Sequence, residues 1–156
     1  MKAMLTPITV THGEVLLARI GLRGASSKNG LIAVKLHRLR AKLEREFAPI
    51  ATAWKEIDGR HAKRDEAGEP VVRTDPAGNQ VAWILTETPA YEVDPQNAET
   101  HAFELAEFQK GSVTFHVECL TSDDLSWIDA ANEHVGLALS LFSPPATENG
   151  NGAGPS

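Results

Sequence analysis

The chain has 156 residues, 42% hydrophobic and 23% charged, with one cysteine and a formal net charge of −6. This balance excludes a disordered polymer and fits a globular domain with a real core. No apolar run reaches the roughly 18 residues needed to cross a bilayer, and Cys119 alone cannot form an intrachain disulfide.

The charge is unevenly spread: +2 over residues 1–27, +6 over 28–64, −8 over 65–110 and −6 over 111–156. A basic segment is thus followed by acidic ones. One reading makes the basic segment a face for nucleic acid or an acidic partner. The other has the later acids lie against it and neutralise it. The second is favoured, because an acidic whole repels DNA at long range.

In chain order, residues 1–10 lack a charged region followed by an apolar core and a cleavage site, which predicts no secretory signal and a cytoplasmic place of work. Leu5 to Val10 alternate loosely around Pro7 and read as an edge strand or an extended lead-in. Thr11-His12-Gly13-Glu14 fits a capping box opening a short helix, with Val15, Leu16, Ile20 and Leu22 inward. Ala25 to Gly30 is a loop by composition.

The organising stretch follows. Ile32, Leu36, Leu39, Leu43, Phe47, Ile50, Trp54 and Ile57 recur at spacings of three and four, one buried stripe on a long helix. Pro49 removes an amide donor and predicts a kink, yet the apolar spacing continues across it. The opposite face carries Lys35, Arg38, Lys42 and Arg45.

Val71 to Thr74 and Gln80 to Leu85 flank Asp75-Pro76-Ala77-Gly78-Asn79 and predict a β-hairpin, with Val81, Trp83 and Leu85 sharing a face. A second helix is expected over 96–110, with Ala98, Ala102, Leu105 and Phe108 on one side and Glu99, Glu104 and Glu107 placed to meet the basic helix. Ser112 to Leu120 alternates cleanly as a half-buried strand. Thr121-Ser122-Asp123-Asp124 caps a last helix over about 124–142, with Ile128, Ala131, Val135, Leu139 and Phe142 inward. Residues 143–156 read as a disordered tail. No internal repeat is read.

No chemistry-bearing motif emerges. His116 and Cys119 point to opposite faces of a strand, and His12, His37, His61, His101 and His134 read as surface or boundary residues without a second ligand. No GxSxG elbow or Walker loop is present. Asp123 and Asp124 read as a helix cap rather than as Mg²⁺ ligands. Trp54, Trp83 and Trp127 sit on apolar faces and read as core, with Trp83 also able to serve an interface on the hairpin.

The order of features resembles a family of small phage-encoded proteins known only as a domain of unknown function. The resemblance rests on Thr11-His12-Gly13-Glu14-Val15, on Leu31-Ile32-Ala33-Val34-Lys35 leading into the long helix, on Asp65 to Glu69 and Asp75 to Asn79, and on Val113 to Glu118 with Ser122-Asp123-Asp124-Leu125. It covers about residues 9 to 142. Pro49 and the Pro-rich end depart from the pattern. The resemblance implies a phage or prophage origin and offers no catalytic residues.

Together these readings predict an α+β fold, a single domain over 1–142: a long central helix packed against a shorter antiparallel helix, with a small antiparallel β-sheet. They predict no enzyme, no cofactor and no metal. The expected function is an accessory one exercised through protein–protein contact with a phage structural protein, a host protein or a second copy, in the host cytoplasm or the virion. The rival is nucleic-acid binding. Candidate binding residues are Lys35, Arg38, Lys42, Arg45 and Trp83, and no membrane is involved.

Overall fold

The computed structural model describes residues 5–143, so the tail expected over 143–156 lies, apart from Ser143, outside the described residues. The fold is α+β. In order the elements are β1 (Thr6–Thr11), α1 (His12–Arg23), β2 (Ala25–Ser26), α2 (Gly30–Arg60), a 3₁₀ turn (Pro95–Asn97), α3 (Ala98–Lys110), β3 (Ser112–Val117), α4 (Ser122–Leu125), β4 (Asp129–Ala130) and α5 (Val135–Leu141). They form two compact units. Of the described residues, the first holds 5–10, Leu17–Glu44 and 113–143, and the second holds Thr11–Leu16 and Arg45–Ser112.

In the first unit, Ile32, Leu36, Leu39 and Leu43 of α2 are all buried, as their spacing requires. Each such side chain removed from water contributes about 1.5–3 kcal/mol. Ile8, Val10, Ala18, Leu22, Ala25, Phe115, Val117, Leu120, Val135, Ala138 and Phe142 are buried in the same unit. β3 pairs with β1, not with the hairpin expected beside it, and the Thr9 and Thr114 hydroxyls meet across the pair at 2.7 Å. Gly21 is where α1 approaches α5: a Cβ there would collide with the His134 carbonyl oxygen and the Ala138 methyl.

The single helix expected over 124–142 is instead two short ones separated by β4. The cause is local chemistry. Asp129 and Ala130 pair antiparallel with Ser26 and Ala25. The Asn132 carboxamide then bonds both ways, its Nδ2 donating to the Ile20 carbonyl at 3.1 Å and its Oδ1 accepting from the His134 amide at 2.9 Å. These bonds compete with helical ones. Trp127, expected in the core, is 52% exposed as a result.

In the second unit the capping box forms as expected: the Thr11 amide donates to Glu14 Oε1 at 2.8 Å and the Glu14 amide to Thr11 Oγ1 at 3.1 Å. The stripe on α2 continues through Ile50 and Trp54, both buried, and the helix runs uninterrupted through Pro49. The ring pair Trp54–Phe108 and the polar pair Asp58–His101 show α3 antiparallel to this end of α2. The buried residues of α3 are His101 and Leu105, whereas Ala98 and Ala102 are exposed. The expected face was therefore misplaced: a buried carboxylate on α2 draws the imidazole inward.

The hairpin region holds a repeat that was not anticipated. Asp65-Glu66-Ala67-Gly68 and Asp75-Pro76-Ala77-Gly78 make the same turn. In each, the Asp Oδ1 accepts the amides two and four residues on at 2.9 Å, and the glycines take φ of +81° and +87°, which glycine alone adopts without strain. The backbone between the turns closes into triangles rather than a ladder. Lys63 donates to Glu92, Glu92 to Val71 and Val71 to Lys63; in a second triangle Arg73 donates to Ala90, Ala90 to Val81 and Val81 to Arg73. The pairing is therefore a set of isolated antiparallel bridges, Thr74↔Gln80 among them.

Candidate interaction surface

The first turns of α2 build the surface. Asn29 precedes the helix and its Oδ1 accepts from the amides of Leu31 and Ile32 at 3.0 and 3.3 Å, satisfying donors that the helix start would otherwise leave open. Only every third or fourth residue of α2 can face the core, so Ile32 turns inward while Leu31 and Val34 turn out, 80% and 46% exposed. Trp127, freed by the break after α4, lines the same cavity of about 410 Å³ as Leu31, Val34, Lys35, Arg38 and Asp123.

The basic residues of this face are engaged by acids from the end of the chain. Lys35 Nζ lies 2.5 Å from Asp124 Oδ2 and 4.0 Å from Glu118 Oε2. Arg38 Nη1 donates to Glu118 Oε1 at 3.2 Å. Asp124 also closes a capping box with Thr121 at the start of α4: the Thr121 amide donates to its carboxylate at 2.9 Å and its own amide donates to Thr121 Oγ1 at 3.1 Å. Burial pushes the Asp124 carboxyl up, but the Lys35 and Thr121 hydrogen bonds outweigh it and hold the group below its ordinary range.

Three of the expected binding residues thus come together in the first unit. Lys35, Arg38 and Lys42 line, with Leu39 and Val117, a second cavity of about 220 Å³. Arg45 and Trp83 belong to the second unit. Arg45 is exposed, whereas Trp83 is half-buried, with its indole Nε1 donating to Asp58 Oδ2 at 3.0 Å and its ring edge-to-face with Trp54 at 5.4 Å.

The second unit also holds a polar cluster. Asp58, wholly buried, accepts from Trp83 Nε1, from the Tyr91 amide at 3.0 Å and from His101 Nε2 at 2.8 Å. Glu104 meets His61 Nε2 at 2.8 Å and Arg60 Nη1 at 3.0 Å. The hydrogen bond from His61, with the nearby charges of His61 and Arg60, lowers the Glu104 pKa against a smaller opposing effect of burial. His61 and His101 are therefore buried partners and not surface residues. Two i, i+3 pairs, Asp58/His61 and His101/Glu104, cross-match between the end of α2 and α3; that spacing was the one sequence signal for them. With three donors on Asp58, the cluster is satisfied and holds the unit together.

Among the described residues, no group of three or more His, Cys, Asp or Glu is disposed to hold a metal ion. None of their helices is long and apolar enough to cross a membrane. Compared with protein-family models, with curated proteins and with solved structures, the chain matches none of them.

Proposed function

We propose that this is a non-enzymatic phage accessory protein that works through protein–protein contact, in virion assembly or against a host system, within the host cytoplasm or carried in the virion. The phage assignment rests on the sequence resemblance alone. The contact reading rests on one observation: Leu31, Val34 and Trp127 stand exposed around a single cavity while the cations beside them are already matched by acids. Apolar side chains grouped at one place on a surface mark a protein contact more often than a phosphate contact. Lys35 and Arg38, engaged by Asp124 and Glu118, would have to give up those bonds to reach a phosphate.

Affinity capture of the tagged protein from infected cells, with nuclease treatment, tests the reading. A defined phage structural or host protein should be recovered, and lost on Trp127→Ala. Recovery of nucleic acid alone, abolished by Arg38→Glu with Lys42→Glu, would replace this reading with the basic-face one.

A further inference from the structure

The second unit holds an open cavity of about 390 Å³ lined by Arg73, Trp83, Tyr91, Glu92, Val93 and His101, a size that suits a small molecule. His101 is only 8% exposed and is held from one side, its Nε2 meeting Asp58 Oδ1 at 2.8 Å. As a carboxylate Asp58 can only accept, so His101 carries a proton on Nε2 and the neutral ring presents a lone pair on Nδ1. That nitrogen has no hydrogen-bond partner among the described residues and is not sealed from solvent. Asp58 thus uses one edge of the ring and leaves the other for what enters the cavity. Two charged groups of the lining are also uncommitted. The Arg73 guanidinium makes no hydrogen bond or ion pair among the described residues. The Glu92 carboxylate stands 3.8 Å from Lys63 Nζ, outside hydrogen-bond range.

A simple anion fits this lining badly. The net charge of −6 repels it at long range, and Glu92 repels it at contact. A simple cation meets Arg73. A zwitterion is neutral as a whole and answers each polar group: its carboxylate suits the forked donors of a guanidinium, and its ammonium, a donor only, needs acceptors such as an imidazole lone pair and a carboxylate. We propose that this cavity binds a free α-amino acid with an apolar side chain. Its carboxylate lies on Arg73, its ammonium between His101 Nδ1 and Glu92, and its side chain against Trp83 and Tyr91. A peptide terminus does not substitute, because it carries only one of the two charges at its α-carbon. The inference goes beyond the contact reading and draws on residues of the second unit alone.

Titration of the full chain with L-phenylalanine, followed by NMR at the indole N–H groups, is the test. The Trp83 signal should move and saturate while that of Trp127, which belongs to the first unit, stays in place. Phenethylamine and 3-phenylpropanoate, each lacking one of the two charges, should bind at least about tenfold more weakly, the order of one charge-assisted hydrogen bond. Arg73→Gln should remove the advantage of L-phenylalanine over phenethylamine and leave phenethylamine itself unchanged. His101→Gln keeps an amide to donate to Asp58 but no basic nitrogen at the cavity. It should weaken L-phenylalanine and phenethylamine together and spare 3-phenylpropanoate, a split that a purely structural histidine would not produce; circular dichroism confirms folding of both variants. No saturable Trp83 shift up to about 20 mM, equal binding of the two halves and the whole, or wild-type affinity in both variants overturns the proposal.

Discussion

At the scale of single residues, two buried carboxylates, Asp58 and Asp124, each gather several hydrogen bonds. Asp58 serves three donors with no access to water. Removing it strands those donors in a dry environment, so Asp58→Ala should cost about 3–5 kcal/mol, read as a lowered urea midpoint at unchanged m-value. Asp124 bridges Lys35 and the Thr121 cap, and Asp124→Asn should cost about 1–2 kcal/mol by the same measurement.

Acid should act through Asp124 and Glu104. Their folded pKa values lie below the ordinary 3.8 and 4.5. The unfolded chain therefore binds more protons in that window. Their contribution is complete above about pH 5 and is lost as pH falls through the depressed folded values. The double variant Asp124→Asn, Glu104→Gln should flatten the acid limb of a stability–pH curve; an unchanged limb would contradict the assignment.

At the scale of elements, α2 tolerates Pro49 because packing on both sides of it is already secured by Leu43, Ile50 and Trp54. The ring still costs a hydrogen bond, so Pro49→Ala should raise the thermal midpoint, by about 1–3 kcal/mol in free energy. Gly21→Ala should do the reverse, since backbone at His134 blocks the added methyl, and a loss of about 2–4 kcal/mol in chemical denaturation is expected.

What was legible in the sequence follows the same division. The stripe from Ile32 to Ile57, the Thr11–Glu14 capping box and the N-cap at Thr121 were readable because their patterns depend on neighbours three or four residues away. The burial of His101 was not, because it depends on Asp58, 43 positions distant. The break after α4 depends on β2 and on the Ile20 carbonyl, so Trp127 could not be seen to leave the core. The ten-residue repeat of Asp-x-Ala-Gly was present as letters, but a lone turn motif gains meaning only when the backbone triangles stack. Of the candidate residues, Lys35, Arg38 and Lys42 share one side of α2 by helical spacing, while the acids that occupy two of them lie about 80–90 positions away.

At the scale of the whole molecule, the charge segregation of the sequence resolves into local neutralisation. Within the first unit, Glu118 and Asp124 cover Lys35 and Arg38; within the second, Glu104 covers Arg60 and His61. These cations are thus engaged within their own units, and Leu31, Val34 and Trp127 stand exposed beside those of the first. If this surface meets protein, a reactive group placed on it will be transferred to polypeptide. A photo-crosslinking side chain placed at position 34, compared with one at the exposed Thr52, tests it in infected cells. Polypeptide adducts from position 34 should lie well above those from position 52. Adducts to nucleic acid alone, or polypeptide adducts from position 52 with none from position 34, would contradict it.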